Sequence, residues 1–184
     1  MLNSFTACNS TKEMTRWVGA WNASATNFTK IKSFGLFNYS NQTIRTIVTS
    51  SFGGSKERIK FSNEYGTELL EIGAASLTLA NSDGTLKNDS KKSLTFNGNS
   101  SVTIDKGTFV WSDPIEMDLK ALDKVAVSIY LPQEVKELTG GCGGVQTYYS
   151  QAGNYTNSSD TTKDFKSVVI DGFPNVSLFL YRLK

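Results

Sequence analysis

The sequence predicts an all-β fold, an antiparallel β-sandwich of the jelly-roll type, and three observations predict it. The first is strict period-two alternation between Asn41 and Ala80. Ile44, Thr46 and Val48 fall on one face there, Arg45, Ile47 and Thr49 on the other. The second is the spacing of short alternating runs between glycine, asparagine, aspartate and proline turns, which gives ten or more strands over 184 residues. The third is that no long stretch repeats its apolar residues at helical intervals and no internal repeat is present.

The elements follow in order. Residues 1–15 show no alternation and read as a flexible N-terminal arm, which leaves 16–184 for the sandwich. Residues 17–24 form a strand in which Trp17 and Trp21 share a face. A polar loop dotted with aromatics covers 27–40. Strands are expected over 42–51, 56–63 and 71–80, joined by turns at Phe52-Gly53-Gly54-Ser55 and Glu64-Tyr65-Gly66-Thr67. Their alternation implies one buried and one polar face.

Asn81-Ser82-Asp83-Gly84 is a turn and 87–92 a polar loop. Short strands over 93–96, 101–105 and 108–111 are separated by Asn97-Gly98 and Lys106-Gly107, as in tight hairpins. Asp113-Pro114 introduces a strand over 115–119. The strand over 125–131 alternates cleanly until Pro132 stops it. Residues 133–139 read as a brief helical turn and 139–145, TGGCGGV, as a flexible loop. A strand over 146–152 points Tyr148 and Tyr149 to opposite faces. A polar loop over 154–164 and strands over 166–170 and 176–183 finish the chain.

At this length one domain can bury a real core. The net charge is +2, with acids and bases interspersed, and no basic stripe points to nucleic acid. No apolar run is long enough to span a bilayer. The first residues lack the basic start and apolar centre of a signal peptide. Ten Asn-x-Ser/Thr sequons occur, at Asn9, Asn22, Asn27, Asn38, Asn41, Asn88, Asn99, Asn154, Asn157 and Asn175. Chance at this composition gives about three. The excess favours a secreted glycoprotein, against a merely Asn/Ser/Thr-rich composition. Cys8 and Cys142 are too few for a disulfide scaffold or a zinc site. They are either bridged, which would tie the arm to the glycine-rich loop, or two unpaired thiols.

The chain has no histidine, which removes the usual general base for a serine or cysteine nucleophile and the commonest metal ligand. Nothing near Cys142 would strongly lower its pKa, and no feature selects a glycosidase-type pair of carboxylates. No cofactor is implied. Asp83, Asp89, Asp160 and Asp164 are available to a structural calcium, but their spacing matches no defined loop, and solvated loop acids are the plainer reading.

Aromatic residues are the better lead. A pyranose stacks its C–H face on a flat ring while nearby Asn, Gln and Arg bond its hydroxyls. Trp17, Trp21, Trp111, Tyr148, Tyr149 and Tyr155 are candidates for such a platform, with core packing as the competing reading. Arg45, Arg58 and Asn63 are candidates for the polar contacts. A solvated sheet face, a cross-sheet ion pair and a domain contact remain open for the arginines.

The ordered segments WVGAW, NQTIRTIV, ERIKFSNEYG, LEIGAASLTLA, LTFNGNSSVTIDKG, VWSDPIEMDL and VAVSIYLP resemble the N-terminal β-domain of secreted GDSL-type (SGNH) esterases. The similarity covers residues 16–131 and continues weakly through Thr147-Tyr148-Tyr149. Such esterases cleave acyl esters, often on plant polysaccharides or lipids, with a Gly-Asp-Ser serine and a downstream histidine. Neither feature is in this chain. The resemblance therefore implies the sandwich and an accessory role: binding plant cell-wall polysaccharide, or positioning a cognate esterase domain. No catalytic residue carries over. A purely structural role, packing on the esterase or on a second copy, is the alternative, and it implies an exposed apolar patch around Trp17 or Trp21. A hydrolase in its own right is the remote third possibility.

Overall fold

The computed structural model describes residues 16–27, 39–135, 139–142, 145–160, 163–169 and 177–183, of which 141–142, 167–169 and 177–183 are described by backbone alone. Among the described residues the strands are β1 (Trp17–Asn22), β2 (Ser24–Asn27), β3 (Gln42–Thr49), β4 (Gly54–Ser62), β5 (Leu70–Ile72), β6 (Ala74–Ala80), β7 (Lys92–Leu94), β8 (Val102–Ile104), β9 (Phe109–Trp111), β10 (Ile115–Leu119), β11 (Lys124–Leu131), β12 (Thr139–Cys142), β13 (Gln146–Ala152), β14 (Phe165–Val169) and β15 (Ser177–Leu183). One 3₁₀ turn, Asn88–Ser90, is the helical element among the described residues. The all-β antiparallel prediction is correct.

Two sheets stack on one core. The six-stranded sheet has the order β14-β13-β3-β11-β6-β7, and the five-stranded sheet β1-β15-β4-β10, with β9 also paired to β4. Alternation sends Ile44 and Val48 of β3, Leu77 of β6 and Val125, Val127 and Ile129 of β11 inward from the first sheet. Ile59 and Phe61 of β4 and Met117 and Leu119 of β10 meet them from the second. Phe61 and Phe96 add an edge-to-face contact with ring centroids 5.5 Å apart. Two small ladders, β12 with β2 and β5 with β8, complete the pairing.

Several expectations need correction. The turns at Asn97-Gly98 and Lys106-Gly107 form, with Asn97 at φ 51°, Gly98 at φ 82° and Gly107 at φ 76°. They do not close hairpins. β7 pairs with β6, β8 with β5 and β9 with β4, and a lone Phe96–Asn99 bridge spans the first turn. Residues 71–80 are not one strand: Gly73 divides β5 from β6. A Cβ on Gly73 would lie 2.9 Å from Tyr130 Cδ1, so the side chain of β11 presses on bare backbone there.

Residues 17–24 hold β1 and the start of β2, and a register shift between Gly19 and Trp21 marks a bulge in β1. The TGGC segment is not loop but β12, paired antiparallel with β2. Of 133–139, where a brief helical turn is expected, Val135 bridges Tyr39 and Thr139 opens β12, while 136–138 lie outside the described residues. The largest correction concerns burial. β3 is buried at six consecutive positions, so both faces of the six-stranded sheet are covered, not one.

Candidate functional site

The covered outer face is built around Arg45. Register places Tyr148, Arg45, Ser128 and Ser76 side by side across β13, β3, β11 and β6. Arg45 is 0 % exposed. Its Nε donates to Ser128 Oγ at 2.8 Å, and its terminal nitrogens donate to the carbonyls of Ser158 at 2.8 Å, Tyr155 at 3.2 Å and Asp160 at 3.4 Å. The Phe165 ring lies 4.2 Å from the guanidinium carbon.

The segment 153–160 is thus drawn over the sheet as a polar cover. Thr43 Oγ1 donates to the Gly153 carbonyl and accepts from Tyr155 N–H, and Ser76 Oγ donates to the Thr156 carbonyl. Burial pushes the Arg45 guanidinium down to about 10, against the pull of Asp164 and Asp160, and it stays charged at neutral pH. Arg45 is therefore neither solvated nor open to a ligand.

Other sequence candidates are also consumed internally. Asn63 is 1 % exposed and donates through Nδ2 to the carbonyls of Glu68 at 2.9 Å and Ile104 at 3.1 Å, closing the tip between β4 and β5. Tyr149 stacks on buried Tyr39 with centroids 5.4 Å apart and planes 16° apart, and burial raises both phenols. Trp21 packs against the main core. Tyr148 packs beside Ile47, Ala80 and Ala126, on the face opposite Tyr149 as expected. Tyr155 is half-buried, edge-on to Phe165 at 6.2 Å.

The outer face of the five-stranded sheet is different. On β4, Glu57, Ile59 and Phe61 turn inward, so Lys56, Arg58 and Lys60 face out. On β9, Val110 packs inward, so Phe109 and Trp111 face out. The guanidinium carbon of Arg58 lies 4.3 Å from the Trp17 ring centroid and 4.2 Å from that of Trp111. Lys60 Nζ lies 3.9 Å above Phe109, which meets Trp111 edge-on at 6.4 Å.

This is a ladder of rings and cations: Trp17, Arg58, Trp111, Phe109 and Lys60. Phe109 is 52 % exposed and the two indoles are half-buried. Toward β10 the face turns mixed in sign, with Lys56 Nζ 2.7 Å from Glu116 Oε1 and Asp118 exposed. Of the sequence candidates, the structure brings together Trp17, Trp111 and Arg58. Lys60 and Phe109 escape sequence reasoning. The available signal was that Lys60 shares the parity of Arg58, and Phe109 that of Trp111.

The remaining predictions divide. Asp83 is exposed and accepts from the Thr85 amide and hydroxyl, which hold its carboxyl below the usual range. Asp89 sits in the 3₁₀ turn, while Asp160 and Asp164 accept from Lys163 N–H and Ser158 Oγ in the polar cover. Among the described residues, no group of three or more His, Cys, Asp or Glu is placed to hold a metal ion. Asn22, Asn41, Asn88, Asn99, Asn154 and Asn157 are exposed, and Asn27 is half-buried at the end of β2. Asn9, Asn38, Asn175 and Cys8 lie outside the described residues, and for Cys142 only the backbone, opposite Ser24, is described.

A cavity of about 450 Å³ opens at the tip between the β4–β5 and β8–β9 turns, lined by Thr67, Glu68, Leu69, Asp105 and Lys106. No helix among the described residues is long and apolar enough to cross a membrane. No protein-family model matches the chain, and no curated protein matches it.

Proposed function

We propose that this chain is a secreted, non-catalytic accessory module, a jelly-roll sandwich akin to the β-domain of GDSL-type esterases, that binds plant cell-wall polysaccharide. The observation that carries the reading is the ring-and-cation ladder on the outer face of the five-stranded sheet. Strand geometry holds Phe109, Trp111, Arg58 and Lys60 on adjacent, directly paired strands. The half-exposed Phe109 ring offers apolar area to the C–H face of a pyranose, and the flanking cations supply hydrogen-bond donors. A shallow face of this kind buries little ligand surface, so affinity for one soluble sugar is weak and grows with polymer length.

The test is affinity electrophoresis and calorimetry against a panel of cell-wall polysaccharides, with Phe109→Ala and Trp111→Ala as variants. Retardation by at least one polymer, reduced in both variants, supports the reading. No retardation by any polymer overturns it.

The second reading is docking on an esterase domain or a second copy. Exposed Phe109 and the arginine–tryptophan composition favour it, since such residues dominate protein interfaces. Against it weigh the packing of Trp21 on the core and the cover that Arg58 gives one side of Trp17, which reduce the apolar area either indole offers a partner. Sedimentation equilibrium decides: a concentration-dependent dimer abolished by Phe109→Ala would favour docking.

A further inference from the structure

We propose that the cavity at the tip of the sandwich is a second saccharide subsite, which takes a neutral sugar unit of the polymer that the ladder face holds. This rests on the preceding reading that the protein binds polysaccharide. The cavity has two walls: the turn between β4 and β5, with Thr67, Glu68 and Leu69, and the turn between β8 and β9, with Asp105 and Lys106. Asn63, 1 % exposed, ties one wall to the other. Its Nδ2 donates to the Glu68 carbonyl on the first and to the Ile104 carbonyl where the second begins. Its backbone N–H donates to the Thr108 carbonyl at 2.8 Å, and its carbonyl accepts from Gly66 N–H at 3.1 Å and Gly107 N–H at 2.9 Å. A Cβ on Gly66 would collide with Asn63 Oδ1, so the first turn closes on this strut only with glycine there. The walls are thus fixed before a ligand arrives, which spares binding the cost of ordering two turns.

The lining suits a neutral sugar. Leu69, 64 % exposed, gives the cavity an apolar surface for a C–H face. Glu68 and Asp105 supply carboxylate acceptors and Lys106 an ammonium donor, so the lining both accepts and donates, as sugar hydroxyls require. Two carboxylates against one ammonium disfavour a uronate in the same place. The volume of about 450 Å³ falls among small-molecule sites, which run from roughly 300 to 1,000 Å³. Position links the cavity to the ladder. Phe109 follows Lys106 by three residues, which span at most about 11 Å. It pairs with Ser62, the last residue of β4, so its ring stands at the end of the ladder nearest the cavity. A polymer lying along β4 and over that ring reaches the cavity within a few sugar units.

The experiment is a heteronuclear NMR titration of the whole chain with xylohexaose, cellohexaose and mannohexaose, and with a galacturonate hexamer. The amides of 67–69 and 105–106 should shift with at least one neutral oligosaccharide, and less with the galacturonate. Glu68→Ala and Asp105→Ala, both at exposed positions, should each weaken that neutral ligand about tenfold. Asp118→Ala, which removes an exposed acid of β10, should leave it unchanged. Equal loss in Asp118→Ala reduces the effect to net charge and overturns the subsite. Shifts confined to 56–60 and 109–111 also overturn it and leave polysaccharide binding on the ladder standing. Cavity shifts as large with galacturonate overturn the neutral ligand. Cavity shifts with calcium chloride or butylamine, and with no sugar, mean a cation site and overturn it as well. If the cavity amides stay silent to every oligosaccharide the subsite falls; polysaccharide binding survives that loss where a polymer still retards the protein in affinity electrophoresis, and both fall where none does.

Discussion

Arg45 and Arg58 start from the same local pattern and end in opposite places. Each sits on an alternating strand between two inward-facing residues, Ile44 and Thr46 for Arg45, Glu57 and Ile59 for Arg58. Arg45 is sealed under 153–160, with three carbonyls and a serine hydroxyl taking its donors. Arg58 stands between two indoles on a face where Phe109 remains 52 % exposed. The difference lies in what the rest of the chain lays over each sheet. A polar segment rich in Asn, Ser, Thr and Asp offers carbonyls, and a buried guanidinium gathers them. Rings on neighbouring strands offer faces, and an outward guanidinium stacks on them. One arginine is a structural tie and the other a surface feature.

The comparison would break if the two arginines proved equally important to stability. Arg45→Met should cost about 3–5 kcal/mol by urea unfolding, because it strands buried carbonyls and loses the aromatic contact. Its cover segment should also become the first site of proteolytic nicking. Ser128→Ala sharpens the same face: it leaves the Arg45 Nε–H buried without its hydroxyl acceptor, an expected loss of about 1–2 kcal/mol. On the open side, Asp113 accepts from Thr95 Oγ1 at 2.6 Å, Gly98 N–H at 2.8 Å and Asn97 N–H at 3.0 Å.

These bonds hold the Asp113 carboxyl below its ordinary pKa, the Thr95 hydroxyl contributing most. Its stabilisation is therefore fully present above the unfolded-state value of about 4 and is lost as pH falls through the lower folded-state value. Asp113→Asn should cost about 1 kcal/mol at neutral pH, with the gap to wild type closing in acid, measured as thermal midpoint against pH. Arg58→Ala should have the smallest effect, about 1 kcal/mol or less, since the ring contacts it loses are partly exposed. A loss there as large as for Arg45 would mean that the ladder is structural.

Much of the fold was legible. Each of the twelve stretches that alternation gave to a strand holds one, and the Asn97-Gly98 and Asn81–Gly84 turns form because those residues accept positive φ. Pairing was not legible. Asn97-Gly98 reads as a hairpin turn, yet its two strands leave for β6 and β5, because each buries its apolar face better against a distant partner. Burial of the second face of β3 was hidden for a related reason. Thr43, Arg45 and Ile47 look amphipathic until a remote polar loop is laid over them. Of the candidate site, Trp17, Arg58 and Trp111 could be named, but their meeting could not, since they come from three strands far apart in sequence.

The sequence by itself determined that the chain is antiparallel β, which side chains share each strand face, and where the backbone turns. Those properties depend on local geometry, with a period of two and a few residues that tolerate positive φ. Only the tertiary structure decided which face meets solvent. That depends on which distant segment covers it, and so one arginine became an internal tie and the other part of an open surface.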